Sequence, residues 1–239
     1  MTEKLYWLFG FVGLYWAYCL YWGIKGARSA KTSTDYFLAG GSIGVWVFVL
    51  AATATSFSGW TFVGHPGKIF TDGLPYAFAS FYALTIPLTG VLFLRRQWVL
   101  GKAYGYITPG EMYSDYYGGN SIRLLTVLVA FLFSVPYLGV QLRASGDLFN
   151  VLTDGLISVD VGMFALSTIV MIYVASGGLK SVAFVDCAQA ILLAVGIMVL
   201  GGVTLNYLGG WSSFTAGLAD LVRSDIESGN NLTLDGFSK

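Results

Sequence analysis

The chain is poor in charge. Thirteen basic and thirteen acidic residues make up 11% of its 239 positions, and they cancel to a net charge of zero. A soluble domain carries about 25% charged residues. With 56% hydrophobic residues and a mean hydropathy of +0.69, neither a disordered chain nor an ordinary soluble globule fits. The basic residues are scattered, so there is no electrostatic footprint for nucleic acid. One histidine and two cysteines are too few for a multi-ligand metal site or a disulfide framework. Both cysteines, Cys19 and Cys187, lie in apolar runs and read as buried thiols. No Ser/His/Asp or Cys/His constellation emerges, so the chain is not read as an enzyme, and no cofactor is expected.

Long apolar runs dominate instead. A membrane-spanning helix needs about 20 predominantly apolar residues. Six candidates occur, over 5–24, 43–66, 75–94, 123–146, 160–176 and 182–206. The first is too long for a cleavable signal peptide, Glu3 weakens its basic flank, and no small-residue cleavage site follows. The expected fold is therefore an all-α integral membrane protein, with a bundle over 1–206 and a polar tail over 207–239. The loops after spans one, three and five carry Lys25, Arg28, Lys31, Arg95, Arg96, Lys102, Arg123 (at the end of the second) and Lys180. The positive-inside rule places that side in the cytoplasm. The N-terminus and the tail are then extracytoplasmic, and the expected location is the cell (inner) membrane.

Two smaller features follow. Pro109 and Glu111 mark a helix start in the Tyr/Gly-rich loop 95–122, predicting a short interfacial helix. The tail has a helical pattern near 212–223 and then a polar run expected to be mobile.

The polar residues inside the apolar spans are the functional candidates. Span two begins cleanly, then places Thr53, Thr55, Ser56, Ser58 and Gly59 at mid-membrane depth, with Gly64, His65, Pro66 and Gly67 beyond. Such a run interrupts a helix where the freed backbone lines an enclosed cavity, and a discontinuous helix points to an ion and solute site. The same small residues also permit close helix packing, and the pattern alone leaves both readings open. Asp186 lies one turn inside span six, with Gln189 one turn later. It is either an acid favoured at a helix N-terminus or a way-station for a cation. A lone histidine such as His65 is more often structural than a ligand. Gly177-Gly178-Leu179-Lys180-Ser181 lacks the glycine spacing of a phosphate loop and simply joins two spans.

Three stretches together resemble the N-terminal half of the sodium:solute symporter family, which includes proline, pantothenate, acetate and sodium/sugar carriers. They are Asp35-Tyr36-Phe37-Leu38-Ala39-Gly40-Gly41; Ser58-Gly59-Trp60 with Gly64, Pro66, Gly67 and Gly73; and Gly177-Gly178-Leu179-Lys180-Ser181-Val182-Ala183 with Asp186 and Gln189. The resemblance covers about residues 5–206. It implies a LeuT-like fold, with a leading helix and then the first five-helix inverted repeat. It implies sodium as the coupling ion and a small organic solute as cargo. The carbonyls of Ala54 and Phe57 would face sodium, and Asp186 would stand near its exit path. Thr61 and Ser80 fall near solute positions, and His65 joins them as a candidate solute contact. Ser56 stands where the proline carriers place an aspartate, which argues against a proline-type solute. The family has well over ten spans, so the chain is expected to be a fragment or one half of a split carrier that needs a second repeat. The competing expectations are a transporter-like sensor module of a signalling protein and a non-transporting membrane scaffold.

Overall fold

The computed structural model describes residues 3–235, and the side chains of all of these but 80, 82–84, 86, 87 and 89. Every element among them is helical. In chain order they are α1 (Glu3–Ser29), α2 (Ser33–Leu38), a 3-10 turn (Ala39–Gly41), α3 (Val45–Ser56), a π-helical turn (Trp60–Gly64) and α4 (His65–Asp72). A 3-10 stretch (Leu74–Leu84) follows, then α5 (Thr85–Tyr104), α6 (Pro109–Tyr117), α7 (Asn120–Leu152), α8 (Val159–Tyr207), α9 (Trp211–Ser228) and α10 (Leu232–Asp235).

Among the described residues, three helices are long and apolar enough to cross a membrane: α1, α7 and α8. The pair Ser33–Gly41 and Val45–Ser56, bent by 111°, adds a fourth if it is one span. At 49 residues, α8 would extend about 73 Å if straight, more than twice a hydrocarbon core of about 30 Å. It is not straight. Gly178 has φ 59 and ψ −160, outside the helical region. Ile169, Tyr173, Val182 and Val185 share one cluster with Cys19 of α1. Residues 169 and 185 would stand about 24 Å apart on a straight helix. The chain therefore doubles back at Gly178, separating 160–176 from 182–206.

Helix α1 fills the cleft between these two arms. Lys4 pairs with Asp154, just ahead of the first arm, at 2.9 Å. Along the second arm the Ser181 hydroxyl donates to the Trp22 carbonyl (2.6 Å), and the Tyr18 hydroxyl donates to the Phe184 carbonyl (2.9 Å). Trp22 stacks on Phe184 with ring centroids 4.0 Å apart. Farther along, Gln189 donates to the Tyr15 hydroxyl. Contacts thus advance along α1 with the first arm and retreat with the second, as an antiparallel hairpin around one helix requires.

The fold-back turn is sealed by α2. Tyr36 donates through its hydroxyl to the Val174 and Ala175 carbonyls at 3.2 and 3.1 Å. A Cβ on Gly178 would lie 2.6 Å from the Tyr36 carbonyl. Helix α2 starts from a capping box in which Thr32 and Asp35 satisfy each other's amides. The Thr32 hydroxyl and the Lys31 and Thr32 amides hold the Asp35 carboxyl below its usual range.

The helix start expected at Pro109 is present. Thr108 caps α6 in a second capping box, closed by Glu111. The segment expected as span three starts as the 3-10 stretch and continues in α5. The helical pattern expected near 212–223 is present as α9. The polar run after it corrects an expectation: instead of running loose, it turns back onto Asp225, whose carboxylate accepts from the Leu232 amide (2.6 Å), the Thr233 amide (2.7 Å) and the Thr233 hydroxyl (2.5 Å). Thr233 and Asp225 are buried, and the backbone of 233–234 lies against Gly73. Residues 236–239 of that tail lie outside the described residues.

Few side chains are buried. The accessible surface is 16542 Å² for a 25.8 kDa chain. A soluble monomer of that mass exposes about 10,500 Å². The surplus is apolar: Trp46 is 80% exposed and Phe133 76%. Water does not tolerate such a surface, whereas lipid tails or neighbouring helices do.

Candidate functional site

The site is built on the interruption between α3 and α4. Its first half explains how hydroxyls are carried into an apolar span. Each turns back onto its own helix: Thr53 donates to the Val49 carbonyl (2.8 Å), Thr55 to Ala51 (2.9 Å) and Ser56 to Ala52 (3.0 Å). Their protons are committed, and such back-bonding loosens and bends a helix end. The helix then stops. Phe57 is extended, with φ −96 and ψ 126, and its amide reaches only to the Ala54 carbonyl at 3.1 Å. Among the described residues, no N–H bonds to the Phe57 carbonyl.

The chain restarts as a single π-helical turn, with the His65 amide bonded to the Trp60 carbonyl. Such turns are rare and recur at functional sites. Thr61 helps close the restart, since its hydroxyl oxygen accepts from the Ser58 amide at 3.4 Å. Gly59 meets α7. Its amide donates to the Gln141 Oε1 at 2.6 Å, and a Cβ there would lie 2.7 Å from the Ala144 Cβ. Beside this contact an open groove of about 420 Å³ runs between the π turn and α7, flanked by the Arg143–Asp147 ion pair at 3.1 Å.

The expected site residues divide. Ala54 and Phe57 lie on the interruption itself, and Thr61 caps its far side. His65 closes the π turn and faces the Tyr76 ring at 5.8 Å. The side chain of Ser80 lies outside the described residues. Asp186 is half-buried on the second arm of α8, and among the described residues it forms no hydrogen bond or ion pair. Its neighbour Cys187 donates to the Val47 carbonyl at 3.4 Å, which sets this part of the arm beside the first turns of α3. Ala54 is seven residues farther along that helix, about 10 Å. The structure thus brings Asp186 to the same helix as the two carbonyls, without a bond to either. Among the described residues, no three His, Cys, Asp or Glu side chains converge as a metal cluster, so oxygen from backbone is the ligand chemistry on offer.

Gln141 and the π turn are the participants the sequence reading passed over. Gln141 had a signal: it is a polar amide within the apolar run 123–146. Its partner, 82 residues away, had none.

Comparison with known proteins accounts for these features together. The model of the sodium:solute symporter family matches residues 36–237. The sodium/proline symporter of Escherichia coli is 28% identical over 193 residues, covering 77% of this chain and 37% of the relative. Solute carrier family 5 member 4B of Mus musculus is 28% identical over 204 residues, covering 85% of this chain and 30% of the relative. Sodium/glucose cotransporter 1 of Oryctolagus cuniculus is 28% identical over 203 residues, covering 83% and 30%. The chain therefore spans about a third of the length of these relatives. No solved structure is a significant match. A family match over most of the chain, on apolar helices with an interrupted span, identifies a multi-pass membrane protein of the sodium:solute symporter family.

Proposed function

We propose that the chain forms the N-terminal part of a carrier that couples inward movement of sodium to that of a small organic solute. The observation that carries this reading is the interruption at Phe57–Gly59, where an apolar helix ends with a carbonyl that no N–H takes among the described residues. Unwound carbonyls at membrane depth suit a cation stripped of water, because helix interiors otherwise leave no oxygen free. The Ala54 and Phe57 carbonyls face the ion in this reading, and Asp186 is a carboxylate along its path. Thr61, His65 and Ser80 stand on the solute side. Relatives named for proline and for glucose leave the solute class broad, and Ser56 disfavours a proline-type solute.

The remaining parts of the proposal are architectural. Six spans form a leading helix and a LeuT-like first five-helix repeat, with the N-terminus and the 207–239 tail on the extracytoplasmic side of the cell membrane. The arrangement of ends supports this: Lys4 meets Asp154 at one end of α1, and Ser181 meets Trp22 toward the other. A second repeat, in the same chain or a separate subunit, completes the ion shell. The two carbonyls alone do not.

Uptake by the intact carrier in vesicles tests the reading. It should require sodium at fixed pH and respond to membrane potential, which contributes about 2.3 kcal/mol per charge per 100 mV. Equal uptake in sodium-free buffer under a proton gradient would overturn it. Asp186→Asn should raise the sodium needed for half-maximal uptake about tenfold, equivalent to about 1.4 kcal/mol, at unchanged membrane abundance.

A further inference from the structure

Gly59 is the first residue of the interruption held from outside its own strand of chain. Its amide points away from any helical carbonyl and is taken by the side chain of Gln141 on α7 at 2.6 Å. Because Gly59 supplies the proton, the bonded atom of Gln141 must be the carbonyl oxygen, which fixes the orientation of the whole amide group. The other end, Nε2, is buried and has no hydrogen-bond partner among the described residues. A buried donor without an acceptor is unfavourable, and native structures keep few of them. The protein therefore holds Gln141 in place against an opposing cost, and what it gains is the position of Gly59.

The approach of the two segments is built for this bond. A Cβ at Gly59 would lie 2.7 Å from the Ala144 Cβ and 3.1 Å from the Gln141 Oε1, so glycine at 59 and a small residue one turn beyond Gln141 together let the amide reach its acceptor. Gly59 is two residues past Phe57. Fixing its peptide plane fixes the direction in which the chain leaves α3, and with it the aim of the Phe57 carbonyl. Gln141 acts on the interruption through its carbonyl oxygen, which the Gly59 amide already engages.

We infer that Gln141 is the positioning residue of the interrupted span: its side-chain carbonyl clamps the Gly59 amide to α7 and thereby sets the backbone carbonyls for the coupling ion. This rests on the proposed sodium-coupled reading for its functional consequence, but the clamp itself has a readout of its own.

The experiment compares two variants in the intact carrier. Gln141→Met keeps the length and removes the acceptor. Gln141→Glu keeps an acceptor oxygen and removes the unpartnered donor. Hydrogen exchange is measured over 57–64, and sodium activation of uptake is measured in vesicles. In Gln141→Met, exchange at the Gly59 amide should rise at least tenfold, and half-maximal sodium should rise about tenfold with a smaller change in maximal rate. Gln141→Glu should restore both to within threefold of wild type. Unchanged exchange in Gln141→Met, or Gln141→Glu as impaired as Gln141→Met in both readouts, overturns the clamp. Uptake indifferent to sodium in the wild type, with exchange responding as expected, would sink the sodium reading and leave the clamp standing.

Discussion

Two interruptions of apolar helix, at Gly178 and at Phe57, are treated in opposite ways. At Gly178 the freed backbone is met by donors from neighbouring elements: the Tyr36 hydroxyl covers the Val174 and Ala175 carbonyls, and the Ser181 hydroxyl is itself spent on Trp22. At Phe57 the Thr53, Thr55 and Ser56 hydroxyls are turned away into α3, and the side chains bonded to the interrupted backbone, Thr61 at the Ser58 amide and Gln141 at the Gly59 amide, act as acceptors rather than donors. In hydrocarbon a carbonyl left free is costly. A break whose carbonyls are capped changes direction; a break whose carbonyls are left open is suited to a cation. The polarity of the neighbouring side chains, donor or acceptor, distinguishes a turn from a site.

The sharpest way to break this contrast is at the turn. Gly178→Ala places a Cβ at positive φ and 2.6 Å from the Tyr36 carbonyl. It should cost about 2–4 kcal/mol and lower the midpoint of thermal unfolding in detergent. A midpoint equal to wild type would mean that the hairpin is not held by this residue. A milder change sharpens the contrast. Tyr36→Phe leaves the turn geometry and removes only the donor, so it should cost about 1 kcal/mol while leaving sodium activation as in wild type. A changed sodium response with unchanged stability would reverse the roles assigned to the two breaks.

The smallest effect is expected in the tail, where α10 docks at the far end of the interrupted span. Burial pushes the Asp225 carboxyl up, but its bonds from the Thr233 hydroxyl and the Thr233 and Leu232 amides together outweigh that and hold it below its usual range. A carboxyl lowered on folding stabilises the folded form above its unfolded value, about 3.9, and that contribution is lost as pH falls through the lowered native value. Hydrogen exchange over 225–235 should therefore be constant from pH 7 to pH 5, once corrected for the intrinsic pH dependence, and accelerate only at stronger acidity. Release of the tail near neutral pH would contradict this.

Much of the fold was legible because it is written locally. Thr108, Pro109 and Glu111 announce α6 within four residues, and the run from Thr53 to Gly59 announces the interruption. Gly177-Gly178 marks the fold-back between two apolar runs. What escaped was long-range. The bond between Gly59 and Gln141 joins positions 82 apart, and no local pattern encodes which carbonyl an amide will meet. The tail misled for the same reason. Asp225, Asn230 and Asn231 read as solvent-loving, yet Asp225 is buried because it folds its own segment back and docks it at Gly73. The hydroxyls of α3 were noticed as a group, but whether they face a ligand or their own backbone depends on rotamers that composition does not reveal.

The docked tail has a practical consequence. Helix α10 touches both α4 and the 3-10 stretch that follows it, so it is coupled mechanically to the second half of the interrupted span. Leu234 is 55% exposed. A fluorophore attached there, through a single introduced cysteine, would ride on that half and report its displacement in real time without touching the interior of the bundle.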